Sequence, residues 1–211
     1  AADFTSMFTV TPVAGADRNA TTVTTYSLSL ATAAGVAVVN GTDSGLDAGN
    51  ASSAPSNIYL HDIGGVVYGS TLETGTDAEV ITNAVFTIAV DGTGIVTLTQ
   101  ISEIQHDNDA ASSNYADQVA TLANDLVQLT ATAVVTDADG DTATDSDTID
   151  LGGNINFADD GPSVTVAATE DNDVDLTTLD AESLTSTSTD VSSAADFTSM
   201  FTVTPVAGAD R

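Results

Sequence analysis

Apolar residues alternate with Thr, Ser and Asp along much of this chain, the period-two pattern of strands that bury one face. Tyr26, Leu28 and Leu30 share one face of a strand predicted near 21–32. Ile58 and Leu60 begin another, which turns at Gly64 and Gly65 into Val66, Val67 and Tyr68. Phe86, Ile88 and Val90 alternate up to Asp91-Gly92-Thr93-Gly94, a hairpin turn, and Val96 and Leu98 alternate on the return. The clearest strand carries Val127, Leu129, Ala131, Ala133 and Val135; it turns at Asp137-Ala138-Asp139-Gly140-Asp141 and runs back toward Ile149 and Leu151. Residues 163–168, with Val164, Val166 and Ala168, and residues 197–203 supply two more strands. Only Asp117 to Leu126 has helix-like spacing, for two turns at most. Many short strands with Gly- and Asp-rich turns predict an all-β protein, an immunoglobulin-like β-sandwich before an up-and-down barrel.

The same chain carries a long internal copy. Residues Ala1 to Arg18 return letter for letter as Ala194 to Arg211, an offset of 193 residues. Self-similarity at a fixed long period marks a tandem array of domains. The chain is therefore expected to hold one period and a short overlap, cut inside a unit. The expected boundary is Phe157-Ala158-Asp159-Asp160-Gly161-Pro162-Ser163, where Gly and Pro interrupt both flanks. On that reading residues 1–157 are the C-terminal part of one domain, 158–163 a linker, and 164–211 the N-terminal part of the next. Some fifty residues without cysteine are few for an independent core. The second part is expected to lean on the first by folding back, or to pair with another molecule. The other expected partners are neighbouring repeats of the same chain, with no obligate partner protein.

Charge narrows the function. Against 31 Asp and Glu stand two basic residues, Arg18 and Arg211, which occupy the same repeat position, and the net charge is −29. Phosphate contacts need Lys and Arg, so nucleic acid is excluded as a partner. Anionic membrane surfaces are disfavoured on the same ground, and no apolar run approaches the ~20 residues of a spanning helix. Disorder is rejected because 42% of the residues are hydrophobic and lie in patterned runs. With no Cys, neither a disulfide nor a thiolate metal site is available. Self-repulsion on this scale is limited either by high salt or by bound hard cations, of which Ca2+ suits carboxylate and carbonyl oxygens best. A halophilic or solubilising surface accounts for composition equally well.

The acids are clustered. Asp137, Asp139 and Asp141 alternate around a glycine turn, so that two or three carboxylates can meet one ion. The glycine is fourth rather than sixth in the loop, so this is not an EF-hand, and an Asp-Gly turn is also an ordinary hairpin. Asp159 and Asp160 lie in the expected linker, where a junction can draw ligands from two domains. Asp107 and Asp109 follow His106, and Glu170, Asp171 and Asp173 follow the strand after the linker. Alternating strand directions put Asp139 at the pole facing the preceding domain. They put Asp107, Asp109, Asp159 and Asp160 at the pole facing the next. Catalysis is not expected. There is no nucleophile elbow, phosphate-binding glycine loop or H-E-x-x-H sequence. The two histidines, His61 and His106, read as surface residues.

Tyr26–Leu30, Asp43-Ser44-Gly45-Leu46, Val85–Asp91, Gly94–Gln100, Leu126–Thr132, Thr136–Thr142 and Phe157–Pro162 occur in an ordered series. That series resembles the long tandem repeats of giant type I-secreted RTX adhesins, the Lap-type large adhesion proteins of Gram-negative bacteria, over most of residues 1–165. The resemblance implies a bacterial cell-surface protein whose immunoglobulin-like extender domains bind calcium at their junctions and hold a distal ligand-binding region away from the cell. It supports Asp159, Asp160 and the turn of Asp137, Asp139 and Asp141 as ligands. The alternative is a β-sandwich module of the same adhesin that itself binds sugar, ice or a receptor.

Overall fold

In the computed structural model, residues 1–13, 15, 21–32, 34–49, 56–106, 118–168, 176–178 and 194–206 are described. Strand is their dominant regular structure. Six strands form one antiparallel sheet: β1 (Ala2–Asp3), β3 (Thr42–Ala48), β4 (Ser56–Ile63), β5 (Val66–Ser70), β6 (Ala84–Val90) and β7 (Ile95–Gln100), in the order β1-β7-β6-β5-β4-β3. A second sheet has the order β10-β9-β2, from β2 (Thr21–Leu30), β9 (Val127–Thr136) and β10 (Thr142–Asp150). β8 (Val119–Thr121) pairs with β11 (Asn156–Ala158). β12 (Ser163–Ala168) pairs with β13 (Phe201–Val206).

Alternation does what the sequence predicts. Leu28 and Leu30 of β2 register with Leu129 and Val127 of β9, and all four are buried on one face. That face packs on Ile58, Leu60, Val67, Phe86, Ile88 and Val96 of the six-stranded sheet in a single buried cluster, which makes the architecture an all-β sandwich. Leu122, Leu151, Ile155 and Phe157 join the same cluster, with Phe86 and Phe157 in ring contact at 5.1 Å. Phe86 is fully buried because Gly69, its partner across β5 and β6, has no side chain. A Cβ there would lie 2.2 Å from the ring.

Several elements differ from expectation, β3 among them. The helix predicted over 117–126 does not form among its described residues. Val119–Thr121 is strand β8, and Leu122 is buried with its N–H donated to the Ile155 carbonyl. Pairing with β11 satisfies this backbone and buries Leu122, which a two-turn helix, marginal by itself, could not do. The one α-helix of the described residues is α1 (Asp77–Thr82), where none was predicted. It begins at a capping box: the Thr76 hydroxyl accepts from the Glu79 N–H, and the Glu79 carboxylate accepts from the Thr76 N–H at 2.9 Å. The strand predicted over 197–203 is a 3-10 turn at Thr198–Met200 followed by β13.

The chain divides into two compact units, Ala1–Asp160 and the residues from Gly161 onward. Ala158 ends β11 and Ser163 begins β12, and residues 159–162 belong to neither strand. In the second unit, β12 and β13 form a hairpin whose residues are all exposed.

The contact between Gly69 and Phe86 gives a stability test. Gly69→Ala is expected to lower unfolding stability by about 1–3 kcal/mol, the usual cost of overpacking. Phe86→Leu in the same background should recover part of that loss, read as a non-additive double-mutant cycle in urea unfolding. Strictly additive losses would show that the two positions do not share this space.

Candidate metal centre

The β9–β10 ladder builds the acidic turn. Its register runs from Gln128 opposite Asp150 to Thr136 opposite Thr142, leaving Asp137 to Asp141 as the loop. The loop closes on itself: the Asp137 N–H donates to the Asp141 carbonyl at 3.0 Å, and the Asp141 N–H donates to Asp137 Oδ1 at 3.0 Å. Gly140 sits at φ +97°, in the left-handed region that favours glycine. This closure gathers one carboxylate oxygen each from Asp137, Asp139 and Asp141 to within 4.8 Å of one another, with Asp137 half-buried and the other two exposed. Two oxygens bound to one divalent ion lie at most about 5 Å apart, so oxygens this close can share a single ion. Gly15 also comes close to the turn, since a Cβ on it would lie 3.3 Å from Asp137 Oδ2. No local sequence signal joins Gly15 to a loop so distant in the chain.

Other acids are consumed by the protein. Asp91 Oδ1 accepts from the Thr93 hydroxyl at 2.7 Å, the Thr93 N–H at 2.8 Å and the Ile95 N–H at 3.0 Å. Those bonds, the hydroxyl first, hold its carboxyl below the ordinary value. Asp3 is lowered likewise by the Thr5 hydroxyl and N–H, Asp196 by those of Thr198, and Glu79 by the Thr76 N–H and hydroxyl. Asp150 accepts from the Asp125 N–H, the Gly152 N–H and the Gln128 side chain, and ties off the end of β10. Asp91 and Asp150 thus build turns, whereas the turn of Asp137 concentrates three carboxylates around one point.

At the boundary, the Asp159 N–H donates to the Gln118 carbonyl, and Asp159 Oδ1 accepts from the Asp160 N–H at 2.8 Å. His106 Nε2 donates to the Phe157 carbonyl at 3.0 Å, which leaves Nδ1 3.8 Å from Asp159 Oδ1. A proton on Nδ1 would make this contact an ion pair. Both histidines correct the surface expectation. His106 has a side chain only 9% exposed, and His61 is buried with Nε2 bonded to the Leu72 carbonyl at 2.8 Å. Each ring is fastened to a backbone carbonyl, so it is a structural residue. The structure therefore brings His106 to Asp159, which separation in sequence had hidden. Asp160 is exposed. Asp107, Asp109, Glu170, Asp171 and Asp173 lie outside the described residues.

With this geometry, the class is an all-β sandwich module carrying a carboxylate triad able to hold a metal ion. The family described as "Domain of unknown function (DUF5801)" matches residues 1–152, and the chain belongs to that family. No curated protein and no solved structure matches it. Among the described residues no helix is long and apolar enough to cross a membrane.

The contrast between the two Asp-Gly turns is testable by calorimetric titration. Any calcium taken up by the triad is expected to bind about tenfold or more weakly, roughly 1.4 kcal/mol, after Asp139→Asn and with unchanged strength after Asp91→Asn. Asp91 should instead show in pH dependence. Because its folded pKa lies below the ordinary 3.8, its contribution is present above that value and lost as pH falls through the folded one. Urea midpoints of wild type and Asp91→Asn should therefore differ near neutral pH and converge in acid.

Proposed function

We propose that this chain is a calcium-binding extender module, a non-enzymatic spacer that stiffens when its ions are bound and projects a distal adhesive region from a bacterial surface. The observation that carries this reading is the triad of Asp137, Asp139 and Asp141, whose oxygens lie within 4.8 Å of one another. Several carboxylate oxygens meeting one ion suit calcium, which takes about six to eight oxygen ligands. Three further supports are the 193-residue repeat, the absence of lysine, and the ordered series of segments that resembles RTX adhesin repeats. Type I secretion and a place on the cell surface rest on that resemblance.

The mechanism is electrostatic. Without cations the carboxylates of one turn repel by about 1 kcal/mol per close pair in a water-like dielectric. A divalent ion converts this repulsion into shared ligation. Asp159 and Asp160, where one unit gives way to the next, are the ligands proposed to fix the orientation of consecutive modules. Asp107 and Asp109, which follow His106 in the sequence, are proposed to add to that site, and Glu170, Asp171 and Asp173 to a site on the following module.

An ion bound only by the folded state stabilises it by about 2.7 kcal/mol at a hundred times its Kd. The expected rise in Tm from EDTA to saturating calcium is about 5–10 °C. Small-angle scattering of tandem multimers should show a longer, stiffer particle in calcium than in EDTA. Asp159→Ala with Asp160→Ala should abolish that stiffening and leave the Tm of the module largely intact. Superimposable scattering profiles and an unchanged Tm would reject the proposal.

A further inference from the structure

The hydrogen bonds of His106 and Asp159 leave one ring atom unsatisfied. A carbonyl can only accept, so the 3.0 Å bond from Nε2 to Phe157 puts the ring proton on Nε2. Nδ1 of the neutral ring is then an acceptor. It lies 3.8 Å from Asp159 Oδ1, which is an acceptor too, and the two side chains are only 9% and 11% exposed. Among the described residues, buried side-chain nitrogen or oxygen atoms without a hydrogen-bond partner occur only at His106 Nδ1 and at Gln105 Oε1, on the preceding residue. A buried polar atom left unpaired costs about 1–3 kcal/mol. The contact to Asp159 is too long for a hydrogen bond, and two acceptors at that range repel.

Both groups are nevertheless held in place by backbone. The Gln105 N–H donates to the Asp47 carbonyl at 2.8 Å and Ile104 bridges Ala48, so the edge of β3 fixes the chain that leads into His106. Asp159 continues the ladder of β8 and β11. Its N–H donates to the Gln118 carbonyl at 3.0 Å, one step beyond the pair of Ala158 and Val119. Phe157, whose carbonyl receives the imidazole, is buried against Phe86. The Asp160 N–H, at 2.8 Å, orients Asp159 Oδ1. Nitrogen and carboxylate are thus brought together by two separate pairings rather than by attraction for each other.

We infer that His106 Nδ1 and Asp159 Oδ1 are the protein ligands of a second kind of metal site, one for a borderline divalent cation such as zinc, built from residues that the aspartate triad does not use. Zinc bonds to imidazole nitrogen at about 2.0–2.1 Å and to carboxylate oxygen at about 2.0–2.2 Å, so one ion spans the observed separation. An approach of a few tenths of an ångström brings the angle at the metal to the tetrahedral value. A histidine that binds metal through one nitrogen donates its other N–H to a carbonyl or carboxylate, which is the bond that Phe157 receives. The imidazole selects the ion. Nitrogen ligands suit zinc, whereas calcium takes oxygen. Water completes the coordination. Such an ion clasps the chain at the edge of β3 to the end of β11, where the first unit ends.

The site shares Asp159 with the calcium junction of the proposed function but does not rest on it, because His106 carries the argument. The test therefore uses zinc chloride in calcium-free buffer and the whole chain. Long-range nitrogen–proton NMR of the imidazoles should show His106 as the Nε2–H tautomer. Its Nδ1 resonance should move saturably with zinc while both nitrogens of His61 stay still. By calorimetry, His106→Gln and Asp159→Asn should each lower zinc affinity tenfold or more. Should a variant fail to fold, the spectra of the unmodified chain still decide. A His106 resonance that does not move up to millimolar zinc overturns the inference, as does a ring proton found on Nδ1. So does equal movement of the two histidines, or an affinity that either substitution leaves unchanged. None of these readings needs calcium, so failure here and failure of the calcium proposal are told apart.

Discussion

Three like charges held on one five-residue turn are the constraint on which the first unit is organised. The turn cannot relax by lengthening its loop, because the β9–β10 ladder runs without a slip from Thr136 opposite Thr142 to buried Leu129 opposite half-buried Ile149. Nor does the sequence offer a lysine to neutralise it. Separating Asp137, Asp139 and Asp141 would mean opening the hydrogen bonds that close the loop, and those bonds are continuous with the ladder that buries the core. An ion held at this place would therefore be coupled to the fold. This differs from Asp91, whose carboxylate is occupied by Thr93 and Ile95 and has little to offer a metal.

The same end of the β9–β10 ladder is where the sandwich is least complete. Toward Val127 and Leu151 the two sheets close over Phe86, Phe157 and Leu122. Toward Val135 and Ala143 the described residues that line the sheet from above are 7–13, and Gly15 lies beside Asp137. The carboxylate turn and this apolar part of the sheet are thus neighbours on one structural arm.

Much of this was legible in the sequence because it is local. β2, β4, β6, β7, β9 and β10 follow from alternation, and the triad follows from three aspartates spaced by two around a glycine. The rest was hidden for identifiable reasons. α1 buries only Val80, so it has no periodicity to read, and its one signal is Thr76 with Glu79 three residues on. The stretch 117–126 spaces Val119, Leu122 and Leu126 as a helix would, and a pairing with Asn156–Ala158 decided otherwise. β3 disguises its alternation, Ser44, Leu46 and Ala48 inward, behind aspartates and a glycine that read as loop. The approach of His106 to Asp159 and of Gly15 to Asp137 depends on tertiary packing alone, and no spacing announces either.

The central claim is that the turn from Asp137 to Asp141 is a discrete ion site coupled to its ladder. A calcium titration followed by backbone amide NMR tests it most directly. The account predicts saturable shifts concentrated at 137–141, extending into Thr136 and Thr142 and to Gly15, while the amides of Thr93 and Ile95 stay still. Shifts that never saturate and spread evenly over the acidic surface would contradict it.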